Sequence, residues 1–125
     1  MIALINGSEG GSVSLFKGAT ALLLLTLLGD GNDGPAPVQD GTPLDLTGDT
    51  VTLEVYDTTT RKNAATKTLT ATLATLPKVQ GHASLTVAVA DIDFGPGTYY
   101  AFVKRINDTG PTTEFSRKYT TIKVG

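Results

Sequence analysis

Short runs alternating Thr with Val, Leu or Ala, the Gly, Pro and Asx clusters that separate them, and the absence of helically spaced Glu, Lys, Ala and Leu predict an all-β chain. About seven such runs in 125 residues predict an immunoglobulin-like antiparallel β-sandwich with an N-terminal arm. An up-and-down barrel is the alternative. The length suits one domain, divided as an arm over residues 1–12 and a sandwich over residues 13–125.

The arm reads Met1-Ile-Ala-Leu-Ile-Asn-Gly-Ser-Glu-Gly-Gly11, an apolar tip ahead of a Gly-rich hinge. Left alone such a tip frays, so Ile2, Leu4 and Ile5 are expected to dock on a neighbouring molecule, with this fold's own edge as the alternative. Val13 to Phe16 and Thr20 to Leu28 read as a strand interrupted at Lys17-Gly18, where a bulge or a crossover between sheets suits the glycine. The run Ala21-Leu-Leu-Leu-Leu-Thr-Leu-Leu28 is too short for a membrane span, which needs about 20 apolar residues. Its flanks suit neither a signal peptide nor a stable helix. It is expected to be a strand buried on both faces, with a sheet behind it and a second subunit or chain segment in front, which adds Leu22 and Leu24 to the expected interface. Asp30 to Gly41 is a turn-rich loop, and it does not match a calcium loop because glycine stands at the third ligand position.

From Thr50 the alternation is cleaner. Val51, Leu53 and Val55 share one face of a half-exposed strand, and Leu69, Ala71 and Leu73 repeat the pattern after a polar turn. His82 to Ala90 alternates again, Asp91 to Gly97 forms a corner, Tyr99 to Ile106 is the sixth run, and Thr113 to Val124 the last.

The chemistry available is narrow. Without cysteine there is no disulfide, thiolate zinc site or thiol nucleophile, and a single histidine, His82, excludes imidazole-rich metal sites. A net charge of -2 does not favour nucleic acid as a partner. Asp91 and Asp93 are a close carboxylate pair, but beside Gly95-Pro96-Gly97 they read as turn caps. His82 and Ser84 share a strand face with no orienting acid in view. The Gly-rich stretches lack the Lys-Ser/Thr ending of a phosphate loop. Few aromatics and no Trp offer little support for a saccharide-stacking platform. No catalytic, cofactor-binding or metal-binding residues are therefore expected, and no enzymatic activity.

The small net charge conceals a division. Up to Thr60 eight acids face Lys17 alone, and beyond it nine bases outnumber four acids. Interleaved strands would cancel this as cross-strand pairs. The other arrangement is two faces of opposite sign that steer association with neighbouring copies.

Asp40-Gly-Thr-Pro-Leu-Asp-Leu-Thr-Gly-Asp-Thr-Val-Thr-Leu-Glu-Val55 resembles the Gly-x-Pro-hydrophobic-Asp-Leu-Thr-Gly entry to an alternating strand in the N-terminal immunoglobulin-like domain of phage baseplate upper proteins. Phe16-Lys-Gly-Ala-Thr20 before an apolar strand, and Leu85 to Asp91 followed by Gly97-Thr-Tyr-Tyr-Ala-Phe-Val103, extend the similarity over roughly residues 13 to 124, although Ala19 stands where Asp is common. Physically, Asp45 and Thr47 can bond the backbone of a tight turn that Gly48 completes, while Leu44 and Leu46 anchor it to the core. The motif Asp45-Leu46-Thr47-Gly48 is thus structural.

The resemblance implies a virion protein assembled in the host cytoplasm, a reducing compartment that suits a cysteine-free chain. With the chain ending at Gly125, directly after the last strand, the expected role is a head decoration (cement) protein that binds the major capsid protein or other virion proteins. It would have no nucleic-acid or membrane partner, and as a homo-oligomer a trimer rather than a dimer. A tail or baseplate component is the alternative, and a glycan- or peptide-binding adhesion module comes third.

Overall fold

The computed structural model describes residues 1–33, 37–73, 80–108 and 112–125. It is all-β, with two sheets packed face to face around one core. The strands are β1 Ile2–Ile5, β2 Ser12–Leu15, β3 Ala21–Leu28, β4 Thr50–Tyr56, β5 Lys67–Thr70, β6 Thr72–Leu73, β7 His82–Val87, β8 Gly97–Asn107, β9 Thr112–Phe115 and β10 Thr120–Val124. A four-stranded sheet runs β1-β3-β7-β6, and a second runs β2-β10-β8-β4-β5 with β9 also on β8. The pairs are antiparallel except β2 with β10, which is parallel.

Period-2 alternation sends Leu23, Leu25 and Leu27 of β3 and Val51, Leu53 and Val55 of β4 between the sheets, each no more than 1% exposed. Leu85, Val87, Val103, Ile122 and the loop leucines Leu44 and Leu46 complete the filling. Each fully buried leucine contributes about 1.5–3 kcal/mol relative to exposure.

Residues 1–12 do not form a projecting arm. Asn6 and Gly7 take positive φ angles, 52° and 85°, the pair that a type I′ turn demands. Ile5 N–H donates to Ser8 O at 3.0 Å and Ser8 N–H to Ile5 O at 3.1 Å. β1 itself is held on β3 in the register Ile2↔Leu28 to Ile5↔Leu25, with Asn6 N–H donating to Leu24 O at 2.8 Å and Leu24 N–H to Asn6 Oδ1 at 2.9 Å. Met1, Ala3 and Ile5 then enter this chain's own core.

The long runs also divide. At Lys17-Gly18 the chain crosses from one sheet to the other, with Gly18 at φ 83°. Thr66 to Leu73 splits at Ala71, whose N–H donates to Val51 O, so that β5 joins β4 and β6 joins β7. Between β9 and β10 the chain leaves the edge of β8 at Ser116, whose side-chain oxygen accepts the Val103 N–H, and rejoins it at Thr120. The described residues thus hold ten strand segments where the pattern predicts about seven runs.

Candidate functional site

The Asp-Leu-Thr-Gly segment forms the entry to β4. Leu44 N–H donates to Leu27 O, and Leu44 and Leu46 are buried. Asp45 Oδ1 accepts the Thr47 N–H at 3.0 Å and the Thr47 hydroxyl at 2.7 Å. Gly48 sits at φ 77° against the Asp108 carboxylate, where a Cβ would overlap that side chain. The turn delivers Asp49, which is buried, to Arg105: Asp49 Oδ2 accepts from Arg105 Nε at 2.6 Å, and Oδ1 from Asn107 Nδ2 at 3.0 Å. Glu114 completes the cluster on the other side of Arg105, at 2.5 Å. Burial, reinforced by the charge of Asp33, pushes the Glu114 carboxyl up against the opposing pull of Arg105. Burial also opposes the Arg105 charge, but the bonds to Asp49 and Glu114 outweigh it and hold its pKa above the ordinary value. This is an anchoring network with its donors and acceptors turned on one another.

The other polar residues singled out in the sequence hold local structure. Asp91 accepts the Ala88 N–H at 2.8 Å and closes the 3-10 turn Val89–Asp91, while Asp93 pairs with Lys67 at 3.1 Å. His82 and Ser84 lie on the outer face of β7. Among the described residues no group of three or more His, Cys, Asp or Glu is arranged to hold a metal ion. The charge division resolves in part into pairs between the two parts of the chain, Glu9 with Arg117, Asp49 with Arg105 and Glu54 with Lys104, while Lys67–Asp93 and Arg105–Glu114 pair within the second part.

The expected interface residues separate. Ile5 is core, and Ile2, though its register turns it outward, is only 7% exposed; neither is available to a neighbour. Leu4 is half-buried. Leu22 and Leu24 stand 58% and 56% exposed, side by side on the outer face of β3. The expectation that β3 is buried on both faces therefore fails within this chain: the second sheet covers one face, and among the described residues none covers the other at Leu22 and Leu24. By strand register the outer face of this sheet consists of Ile2, Leu4, Leu22, Leu24, Thr26, Leu28, Thr72, His82, Ser84 and Thr86, with no Asp, Glu, Lys or Arg.

The outer face of the other sheet carries what the sequence reading missed. Five of the eight aromatic residues gather there: Tyr56, Tyr100, Phe102, Phe115 and Tyr119. Tyr56 meets Phe102 edge-on with centroids 5.9 Å apart, and Tyr119 meets both Phe102 at 6.2 Å and Tyr100 at 5.2 Å. The Arg61 guanidinium lies over Phe115 and Phe102. The Tyr56 hydroxyl donates to Glu54, and burial, reinforced by that carboxylate, pushes its pKa up to about 12. Beside the band, a cleft of about 380 Å³ is lined by Gly10, Arg117, Lys118, Tyr119 and Thr121. Arg117 in that cleft is held by Glu9 through two bonds of 2.8 and 2.9 Å. The signal for the band was the i, i+2 pair Tyr100 and Phe102, but only the register of β4 on β8 shows that Tyr56 joins them.

Fold and surfaces together define a two-sheet β-sandwich in which the strands of one sheet present an outer face of mixed aliphatic and uncharged polar side chains and the other sheet presents an aromatic band flanked by cations. No protein family model matches the chain, and no curated protein does either.

Proposed function

We propose that this chain is a non-enzymatic structural protein of a phage particle, a capsid decoration (cement) protein that docks on shell subunits through the outer face of its four-stranded sheet. The observation that carries the reading is the exposed pair Leu22 and Leu24 on a sheet face whose strand residues, among those described, include no Asp, Glu, Lys or Arg. Depletion of charge around an apolar centre is the composition of an interface core, and exposed apolar area of this kind marks an interaction site. The likeness of the Asp45 to Gly48 turn to that of phage immunoglobulin-like domains supplies the virion setting. An immunoglobulin-like type is supported by the strand order, since β1-β3-β7-β6 and β10-β8-β4-β5 correspond to the ABED and GFCC′ sheets of that fold.

The test is the copy number of the chain in purified particles of the virus that encodes it, measured by quantitative mass spectrometry. A count in the hundreds supports the head assignment. A count of about six to eighteen, as cyclic tail symmetry imposes, assigns the chain to the tail or baseplate instead. Its absence from the particles removes the proposal.

A further inference from the structure

We infer that the free edge of β2 accepts an extended segment of another protein as an added antiparallel strand, alternating apolar and small polar residues in its middle and acidic at its C-terminal end. This goes beyond the shell-docking proposal and uses a strand edge instead of the sheet face that carries Leu22 and Leu24, so either can fail without the other.

The edge is open because of the way β2 meets β10. Gly11 O accepts the Thr121 N–H, Leu15 O accepts the Gly125 N–H, and the Lys17 N–H donates to Gly125 O. Backbone groups of successive strand residues point to opposite edges. The N–H and C=O groups of Ser12 and Ser14, with the N–H of Phe16, therefore point away from β10. β2 ends its sheet, and among the described residues no strand pairs with that side. An unpaired row of this kind is a template for a further strand.

The other edges are closed or blunted. On β1 the Asn6 N–H donates to Leu24 O, so the outward groups belong to Met1, Ala3 and Ile5; Ile5 exchanges both of its bonds with Ser8, and Met1 O accepts the Arg117 N–H. β5 carries Lys67 and the chain passes at Ala71 into the other sheet, where β6 has two residues. β2 reads Ser-Val-Ser-Leu, without the charged residues and prolines that protect an edge.

Side chains and charge define the occupant. Ser12 and Ser14 are exposed, Val13 between them is only half-buried, and Phe16 at the end of the edge is 59% exposed. An added strand with apolar residues on its inward face covers Val13 and continues the core. At the upstream end a Cβ on Gly10 would stand 3.5 Å from Lys118 Cδ, so Lys118 lies over the residues that lead into β2, in the open cleft with Tyr119 and Thr121. Arg117 in that cleft is balanced by Glu9, which leaves the exposed Lys118 as the charge to be met. An antiparallel occupant brings its C-terminal end to this point, where an acidic residue is favoured. A second copy of this chain fits less well. The antiparallel register that uses Ser12, Ser14 and Phe16 of both copies pairs Ser14 with Ser14 and sets Lys17 opposite Gly11 of the other copy, next to Gly10 and Lys118, where like charges repel.

The experiment records the amide signals of the full chain by NMR at low salt while acetyl-Thr-Val-Ser-Val-Thr-Glu-Glu-amide, or the same peptide ending in Lys-Lys, is added. The acidic peptide should bind with a dissociation constant of about 1 mM or below, move the Ser12, Ser14 and Phe16 amides most, and bind about three- to tenfold more tightly than the basic one. Ser14→Pro removes the central donor of the edge without touching the bonds to β10 and should abolish the binding. Lys118→Gln should bring the two peptides within about twofold of each other. No saturable binding, equal affinity for the two peptides, shifts centred elsewhere, binding that survives Ser14→Pro, or a preference that survives Lys118→Gln each overturns the inference. Concentration-dependent shifts of the same amides in the chain alone would assign the edge to a second copy and overturn it as well. Should Ser14→Pro not fold, the acidic peptide N-methylated at every residue is added to the original chain in its place; it should not bind, and binding by it overturns the inference.

Discussion

Replacing Leu22 and Leu24 together by Thr separates a docking role from a folding role. Threonine keeps the strand preference of β3 and makes the pair resemble Thr26 and Thr86 on the same sheet face. A leucine taken from full exposure to full burial gains about 1.5–3 kcal/mol. With 58% and 56% of their surface still exposed, each has somewhat more than half of that left to gain from a partner, about 1–1.7 kcal/mol. Losing both costs the docked state about 2–3 kcal/mol, a dissociation constant roughly 30- to 150-fold weaker. The isolated chain loses little, because an exposed substitution shifts stability by about 0.5 kcal/mol or less. Co-sedimentation of the purified chain with undecorated particles measures the first quantity, and the urea unfolding midpoint the second. Unchanged affinity would refute the docking surface. A stability loss above about 1 kcal/mol would show that the two leucines serve the fold instead.

Three further outcomes follow from the interior and the second sheet. Asp49→Ala withdraws two acceptor contacts from buried Arg105 and Asn107 and should destabilise the chain by about 3–5 kcal/mol in denaturant titration; a loss below about 1 kcal/mol would show that solvent replaces the carboxylate. Gly81→Ala drives a Cβ into the Leu27 carbonyl at φ 78° and should cost more than about 2 kcal/mol, read from the thermal midpoint. In an ultraviolet titration Tyr56 should ionise only near pH 12, above the ordinary 10. Because the folded pKa is raised, its contribution to stability is complete below pH 10 and lost as the pH climbs through about 12, and Glu54→Gln should bring the ionisation down.

The inward face of β4 was readable because Val51, Leu53 and Val55 alternate with Thr52, Glu54 and Tyr56, but the half-exposed strand that this alternation predicts is not found: Thr52, Glu54 and Tyr56 on the outer face are buried as well, because the side chains of that face cover one another. The leucine run of β3 hides its own period: nothing in five consecutive apolar residues says which face turns inward, and that is decided by the pairing of Leu23 with Leu85. At the N-terminus the dipeptide Asn6-Gly7 is a strong hairpin signal, but among Gly10 and Gly11 it reads as part of a hinge, and so β1 reads as an arm. The aromatic band escapes a one-dimensional reading for another reason. Tyr56 and Phe102 are far apart in sequence, and their contact follows from the alignment of β4 on β8, a long-range property that composition does not carry.

The parallel pair β2 and β10 has a mechanical consequence. Thr121 N–H on Gly11 O, Gly125 N–H on Leu15 O and Lys17 N–H on Gly125 O lie along one seam between strands running the same way. Tension that draws β2 and β10 past each other meets those bonds in shear, loaded together, whereas the antiparallel hairpin of β8 and β9 can be peeled from its end one bond at a time. The second and last strands of this sandwich are therefore fastened as a clasp against lengthwise pull, so that a load applied across that seam is borne first by the backbone and only later by the leucine core.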